Sequence, residues 1–172
     1  MKKGFGLTLI FLVFLLPITV LAFQNEPDGF RGIKWGANIS RRPDMTHIEK
    51  NMYLRKNDKL TIGDASLRDI HYRAYKGRLG GVIIRYKDYN NHEKLKRVFF
   101  QLYGKGRQPN PFEEKYNWIG SDIWILIEYS EIANWPDKTK EGEGHIIYDY
   151  RPRHNERKRK EKEAAKKGAG DL

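Results

Sequence analysis

The stretch LRDIHYRAYKGRLGGVIIRYKD, residues 67–88, decides the fold. Ile70, Tyr72 and Ala74 alternate with polar residues along its first arm, and Val82, Ile84 and Tyr86 alternate along the second. A period of two puts each apolar set on one face of an extended strand. Gly77-Arg78 lies between the arms as a turn. The stretch therefore predicts a hairpin with arms at 67–76 and 79–88. A sheet with one apolar face needs a second layer to cover it.

That layer is announced next in the chain. Leu95, Val98, Phe99 and Leu102 fall at i, i+3, i+4 and i+7, an apolar stripe at helical spacing, with Lys94, Lys96, Arg97 and Gln101 opposite. Asn90 is placed to cap this helix, with Glu93 reaching back, and Gly104 to end it. A second hairpin is expected at 116–119 and 123–129 around Gly120-Ser121-Asp122, its second arm apolar enough for a central strand. A last strand spans 145–150, with Ile146, Tyr148 and Tyr150 on one face. Upstream, 30–35 reads as a strand closed by Gly36, with Gly32 at a bulge or a close approach. Asn38 or Ser40 then caps a short helix that Pro43 limits to a first turn, and 46–57 holds one or two short strands. The predicted class is α+β: a mostly antiparallel sheet with one long and one short helix on one face.

Outside this body lie two segments of different character. Residues 1–22 open with Lys2 and Lys3, continue as an uncharged apolar run broken by Pro17, and end with the small residues Val20 and Ala22 at the positions a signal peptidase reads. This is the layout of a secretory signal peptide cut after Ala22, which places the mature chain in the periplasm or outside the cell. The alternative is an uncleaved leader anchoring the chain in the inner membrane, since the uncharged run is long enough to span a bilayer. Residues 151–172 form a basic tail without a large apolar residue between Arg153 and Leu172, the composition of a disordered or frayed helical segment. The organisation is thus signal peptide 1–22, one domain 23–150, tail 151–172.

The formal net charge of +11 is unevenly spread. The tail carries +5 and the domain only +4, so the domain itself does not have the footprint of a nucleic-acid binder. Arg157, Lys158, Arg159 and Lys160 are the core of the tail's charge. For an exported chain, their expected partners are anionic lipid or an acidic wall polymer, not nucleic acid. No cysteine is present, which excludes disulfides, thiol catalysis and lipid attachment through a leader cysteine.

Chemical motifs are sparse. The glycines of GFRGIKWGANIS (29–40) are spaced G-x-x-G-x-x-x-G around a strand, not as a phosphate-binding G-x-G-x-x-G, and no Walker ending follows. Asn38-Ile39-Ser40 fits the glycosylation pattern, which matters only in a eukaryotic host. None of the five histidines pairs at metal-ligand spacing, and His92-Glu93 lacks the second histidine of a zinc motif, so no metal and no cofactor are expected. No serine stands in a nucleophile elbow. Glu113 and Glu114, beside a Gly/Pro loop, are the one pair from which a small carboxylate-dependent hydrolase could be built, and no catalytic residue is assigned. Aromatics supply the better binding candidates: Trp135 in the polar loop after 133, and a patch of Tyr103, Arg107 and Tyr116 around the Gly/Pro loop.

PDGFRGIKWGANIS (27–40), with the later LYGKGRQPN (102–110) and YNWIG (116–120), resembles a family of uncharacterised exported bacterial proteins that carry an F-R-G-I-x-W-G opening after a signal peptide. The resemblance implies export and brings no activity and no catalytic residues. The expectation is a non-enzymatic periplasmic or envelope binding module with an envelope protein as partner. The alternatives are the carboxylate hydrolase and a polyanion or membrane-surface binder acting through the tail.

Overall fold

The computed structural model describes residues 23–133 and 140–152. The leader, Trp135 and the tail residues Arg157, Lys158, Arg159 and Lys160 lie outside them. In chain order the strands are β1 (Gly29–Phe30), β2 (Ile33–Lys34), β3 (Met45–Glu49), β4 (Met52–Arg55), β5 (Thr61–Ile62), β6 (Ala65–Ser66), β7 (Asp69–Tyr75), β8 (Arg78–Lys87), β9 (Glu114–Ile119), β10 (Ile123–Ala133) and β11 (Lys140–Tyr150); the helix α1 (Tyr89–Tyr103) lies between β8 and β9. Seven strands form one antiparallel sheet in the order β3-β4-β7-β8-β11-β10-β9, while β1-β2 and β5-β6 are two-stranded ribbons. The architecture is α+β, mostly antiparallel sheet with one helix among the described residues.

The 67–88 hairpin supplies β7 and the central strand β8, joined by a two-residue turn. Lys76 and Gly77 both sit at positive φ there, 49° and 75°, the backbone that a tight hairpin turn requires. The alternation seen in the sequence continues across the sheet as rows of side chains. Tyr72, Val82, Tyr148, Ile125 and Trp118 are successive cross-strand neighbours, as are Ile70, Ile84, Ile146, Ile127 and Tyr116. All ten are buried. They form the floor of the core.

Two pieces cover that floor. One is α1, whose buried residues are His92, Leu95 and Phe99. The other is the segment before β3, which buries Phe30, Ile33 and Ile39 and lays Trp35 against Tyr150 at 6.1 Å. Among the described residues no helix is long and apolar enough to cross a membrane.

The structure departs from the sequence reading in three places. The expected strand at 30–35 is a small hairpin instead: Arg31 and Gly32, at φ 48° and 77°, turn the chain between β1 and β2. That turn aims the Arg31 guanidinium at Asp58 Oδ1 and at the carbonyls of Lys59 and Thr61, so it staples the following loop. The expected short helix at 38–43 is absent: the segment lies on the hairpin turn, with the Ile39 and Ser40 N–H groups donating to the carbonyl of Gly77. Only isolated turns close beyond it, the Arg42 N–H donating to the Ile39 carbonyl and the Met45 N–H to the Arg42 carbonyl. The long helix starts earlier than expected. Asp88, not Asn90, is its cap and accepts from the Asn91 N–H at 2.8 Å, and the helical register leaves Leu102 exposed while His92 joins the buried stripe.

Candidate functional site

The cap at Asp88 sets the register that sends His92 inward. Its side chain is fully buried between the rings of Tyr86 and Tyr129, at 6.0 and 5.2 Å. Gly144 stands between Tyr86 and Tyr129 in the cross-strand row, and the Tyr86 ring lies across it: a Cβ there would come within 2.2 Å of the ring. The Tyr86 hydroxyl is 2.7 Å from His92 Nδ1 and 3.1 Å from the Glu128 carbonyl. On the other side, His92 Nε2 is 3.1 Å from Glu114 Oε2, the first residue of β9. Lys96, one helical turn after His92, donates to the same Glu114 oxygen at 2.9 Å and pairs with Glu93 at 2.5 Å.

The proton assignment follows from the charges. Burial works against the Glu114 carboxylate, but hydrogen bonds from Lys96 and His92 outweigh it and hold the group below the ordinary carboxylate range. An ionised Glu114 only accepts, so His92 Nε2 carries a hydrogen. Burial pushes the His92 imidazole below the ordinary value, with Glu114 partly offsetting it. Burial also pushes the Tyr86 hydroxyl far up. Tyr86, His92, Glu114 and Lys96 are therefore a chain of satisfied polar groups that fastens α1 to β8 and β9.

This settles what the cluster can do chemically. Tyr86 is buried and its hydroxyl proton is held far above the ordinary range, so it is no nucleophile. Glu114 is ionised, with two donors on its Oε2, so it has no proton to give as a general acid. His92, Glu93 and Glu114 do form a donor set compact enough for a metal ion, which their sequence spacing does not reveal. The Lys96 ammonium lies against both carboxylates and supplies the positive charge there.

Beside the cluster, at the end of β9 and β10, is a half-open cleft of about 540 Å³. Tyr89, Tyr129 and Phe112 give it aromatic walls, with Glu113, Glu114, Glu128 and Glu131 around them. Phe112 is 95% exposed, the largest exposure among the large apolar side chains of the described residues. The backbone that carries it is braced. The Phe112 N–H donates to Asn110 Oδ1, Asn110 Nδ2 to Glu113 Oε1, and Gln108 Nε2 to the Glu113 carbonyl, at 2.8–3.1 Å. A loop braced in this way has less backbone entropy to lose when the ring it carries meets a partner.

The residues singled out from sequence are placed differently from one another. Tyr116 is buried, and Tyr103 is half-buried, packed against Phe99, Phe23 and Trp118. Arg107 is exposed, its backbone paired with Asn117 along the outer edge of β9. Glu113 and Glu114 separate as adjacent residues do: Glu113 braces the Phe112 loop and Glu114 turns to the helix. Phe112 was not picked out in the sequence, although an aromatic after Asn-Pro in a Gly/Pro loop, Asn110-Pro111-Phe112, is a legible sign of a braced turn. The chain matches no known family model, no curated protein and no solved structure.

Proposed function

We propose that this protein is an exported, non-enzymatic binding module of the bacterial envelope, and that it takes its ligand at the cleft rimmed by Phe112. The observation that carries the reading is Phe112 itself, a bare aromatic ring on a hydrogen-bonded loop over a cleft large enough for a side chain or a short segment of a partner. Exposed aromatics on a backbone already in place concentrate binding energy at contact sites. The basic tail adds attraction to anionic lipid or wall polymer. The hydrolase reading finds less support, because Glu114 is ion-paired and Glu113 is occupied with its own loop.

The test uses both properties of Phe112. A photoreactive phenylalanine analogue at 112, in intact cells, should crosslink to one discrete envelope component. Phe112→Ala should abolish co-purification of that component and leave stability within about 0.5 kcal/mol, since the ring is already in water. No crosslinked product, or undiminished co-purification with Phe112→Ala, would sink the reading.

A further inference from the structure

The antiparallel register gives the sheet two distinct ends. The cleft occupies one. At the other lie the 75–78 turn, the 119–123 turn and Tyr150, the end of β11. The chain enters the described body and leaves it at this second end, and both passages grip the same turn. The Glu26 carboxylate accepts from the N–H groups of Ser121, Asp122 and Ile123 at 2.9, 2.8 and 3.0 Å. The Arg151 N–H donates to the Asp122 carbonyl at 2.7 Å. The last turn of α1 comes here too, where Asn25 Nδ2 donates to the Leu102 carbonyl. The first and last described residues of the chain therefore lie at the same end of the sheet, about 20 Å along β10 from the cleft.

The same end has an unusual surface. Tyr75, Leu102 and Ile119 are 55%, 46% and 56% exposed, one from each of three elements that finish here. Lys76, Arg78 and Lys105 are exposed beside them, and Arg151 lies over the Trp124 ring at 4.9 Å. Of the acids at this end, Glu26 is satisfied by backbone donors and Asp149 by Arg73 and Arg151, while Asp28, Asp122 and Glu49 stay exposed. Separate apolar side chains set among cations suit the interface of a bilayer, where a tyrosine or leucine sinks among headgroups and lysines meet lipid phosphate. A carbohydrate wall polymer would use the charges and leave the apolar groups in water.

We propose that this end of the domain docks on an anionic phospholipid bilayer, so that the Phe112 cleft faces away from the membrane. The proposal concerns the opposite end from the ligand cleft and does not depend on what the cleft binds.

The absence of cysteine makes single labels unique. The protein purified from producing cells would carry an environment-sensitive fluorophore at Asp122→Cys or at Ser130→Cys. It would be mixed with phosphatidylcholine vesicles, with or without phosphatidylglycerol, bearing a headgroup quencher. The expected result is salt-sensitive association that needs phosphatidylglycerol, with quenching at 122 and not at 130. Lys76→Glu with Lys105→Glu should weaken partitioning about twenty-fold or more, at about five-fold per cation lost near the surface. The equal charge change Lys87→Glu with Lys94→Glu should leave it within about two-fold. Equal quenching at both labels would overturn the proposal. So would association indifferent to anionic lipid, or the full affinity persisting in the Lys76/Lys105 variant, which would leave the tail alone as the tether.

Discussion

His92 shows how much one side chain can depend on its surroundings. It is wholly enclosed, with Tyr86 and Tyr129 on its faces, Glu114 at Nε2, and Lys96 and Glu93 on its own helix. Burial depresses its proton affinity relative to the unfolded chain. The unfolded chain therefore takes up more protons than the folded one once the pH drops below the ordinary histidine value of 6.5. Stability should be level above that value and decline as the pH falls from it toward the depressed folded value. A urea unfolding series from pH 7.5 to pH 5.5 checks the sign, and His92→Gln should flatten the slope. A rise in stability on acidification would mean that Glu114 dominates over burial. The FRGIKWG stretch is also explained residue by residue. Phe30 packs against Tyr72 and Tyr148, Arg31 staples the 58–61 loop, Ile33 is buried, and Trp35 stacks on Tyr150. Its role is architectural, as its glycine spacing implies.

At the scale of elements, β11 is the strand the fold depends on. It pairs with β8 on one side and β10 on the other, and so joins the 67–88 hairpin to the 114–133 hairpin. Its pairing with β8 places the Tyr86 ring across Gly144. Gly144→Ala should lower stability by about 3 kcal/mol, the upper range for overpacking a tight core position, because the clash is with a ring that cannot leave its hydrogen bonds cheaply. Chemical denaturation measures this, and a cost below about 1 kcal/mol would show that Tyr86 has room to move. The two hairpins and the long helix were legible in the sequence because their spacing is local. The helix cap was not, since Asp88 and Asn90 are equally good caps by residue type. What selects Asp88 is the end of β8, which leaves the chain at positive φ there, 63°, with its carboxylate over the Asn91 N–H.

The described body has polarity: the Phe112 cleft at one end, both chain passages at the other. Glu26 is the residue that ties the two passages together. Burial opposes its charge, yet three backbone donors hold its carboxyl below the ordinary range. Glu26→Ala should cost about 2 kcal/mol, because three N–H groups of the 120–123 turn lose their acceptor at once. Hydrogen exchange at Ser121, Asp122 and Ile123 should rise with it. Unchanged exchange there would show that solvent replaces the carboxylate without loss. In the parent chain, this contribution is full at neutral pH and fades as the pH falls through the folded value of Glu26.

The covalent sequence by itself determined the two long hairpins and the long helix, the absence of thiol chemistry, and the uneven charge, because each depends only on neighbours along the chain or on composition. The tertiary structure alone decided the strand order that sets β11 beside β8, the burial of His92 and Tyr116, the exposure of Phe112, and the meeting of both chain passages at one turn. Those are outcomes of contacts between residues as distant as Glu26 and Ile123, and side-chain spacing within a segment carries no record of what another segment will cover.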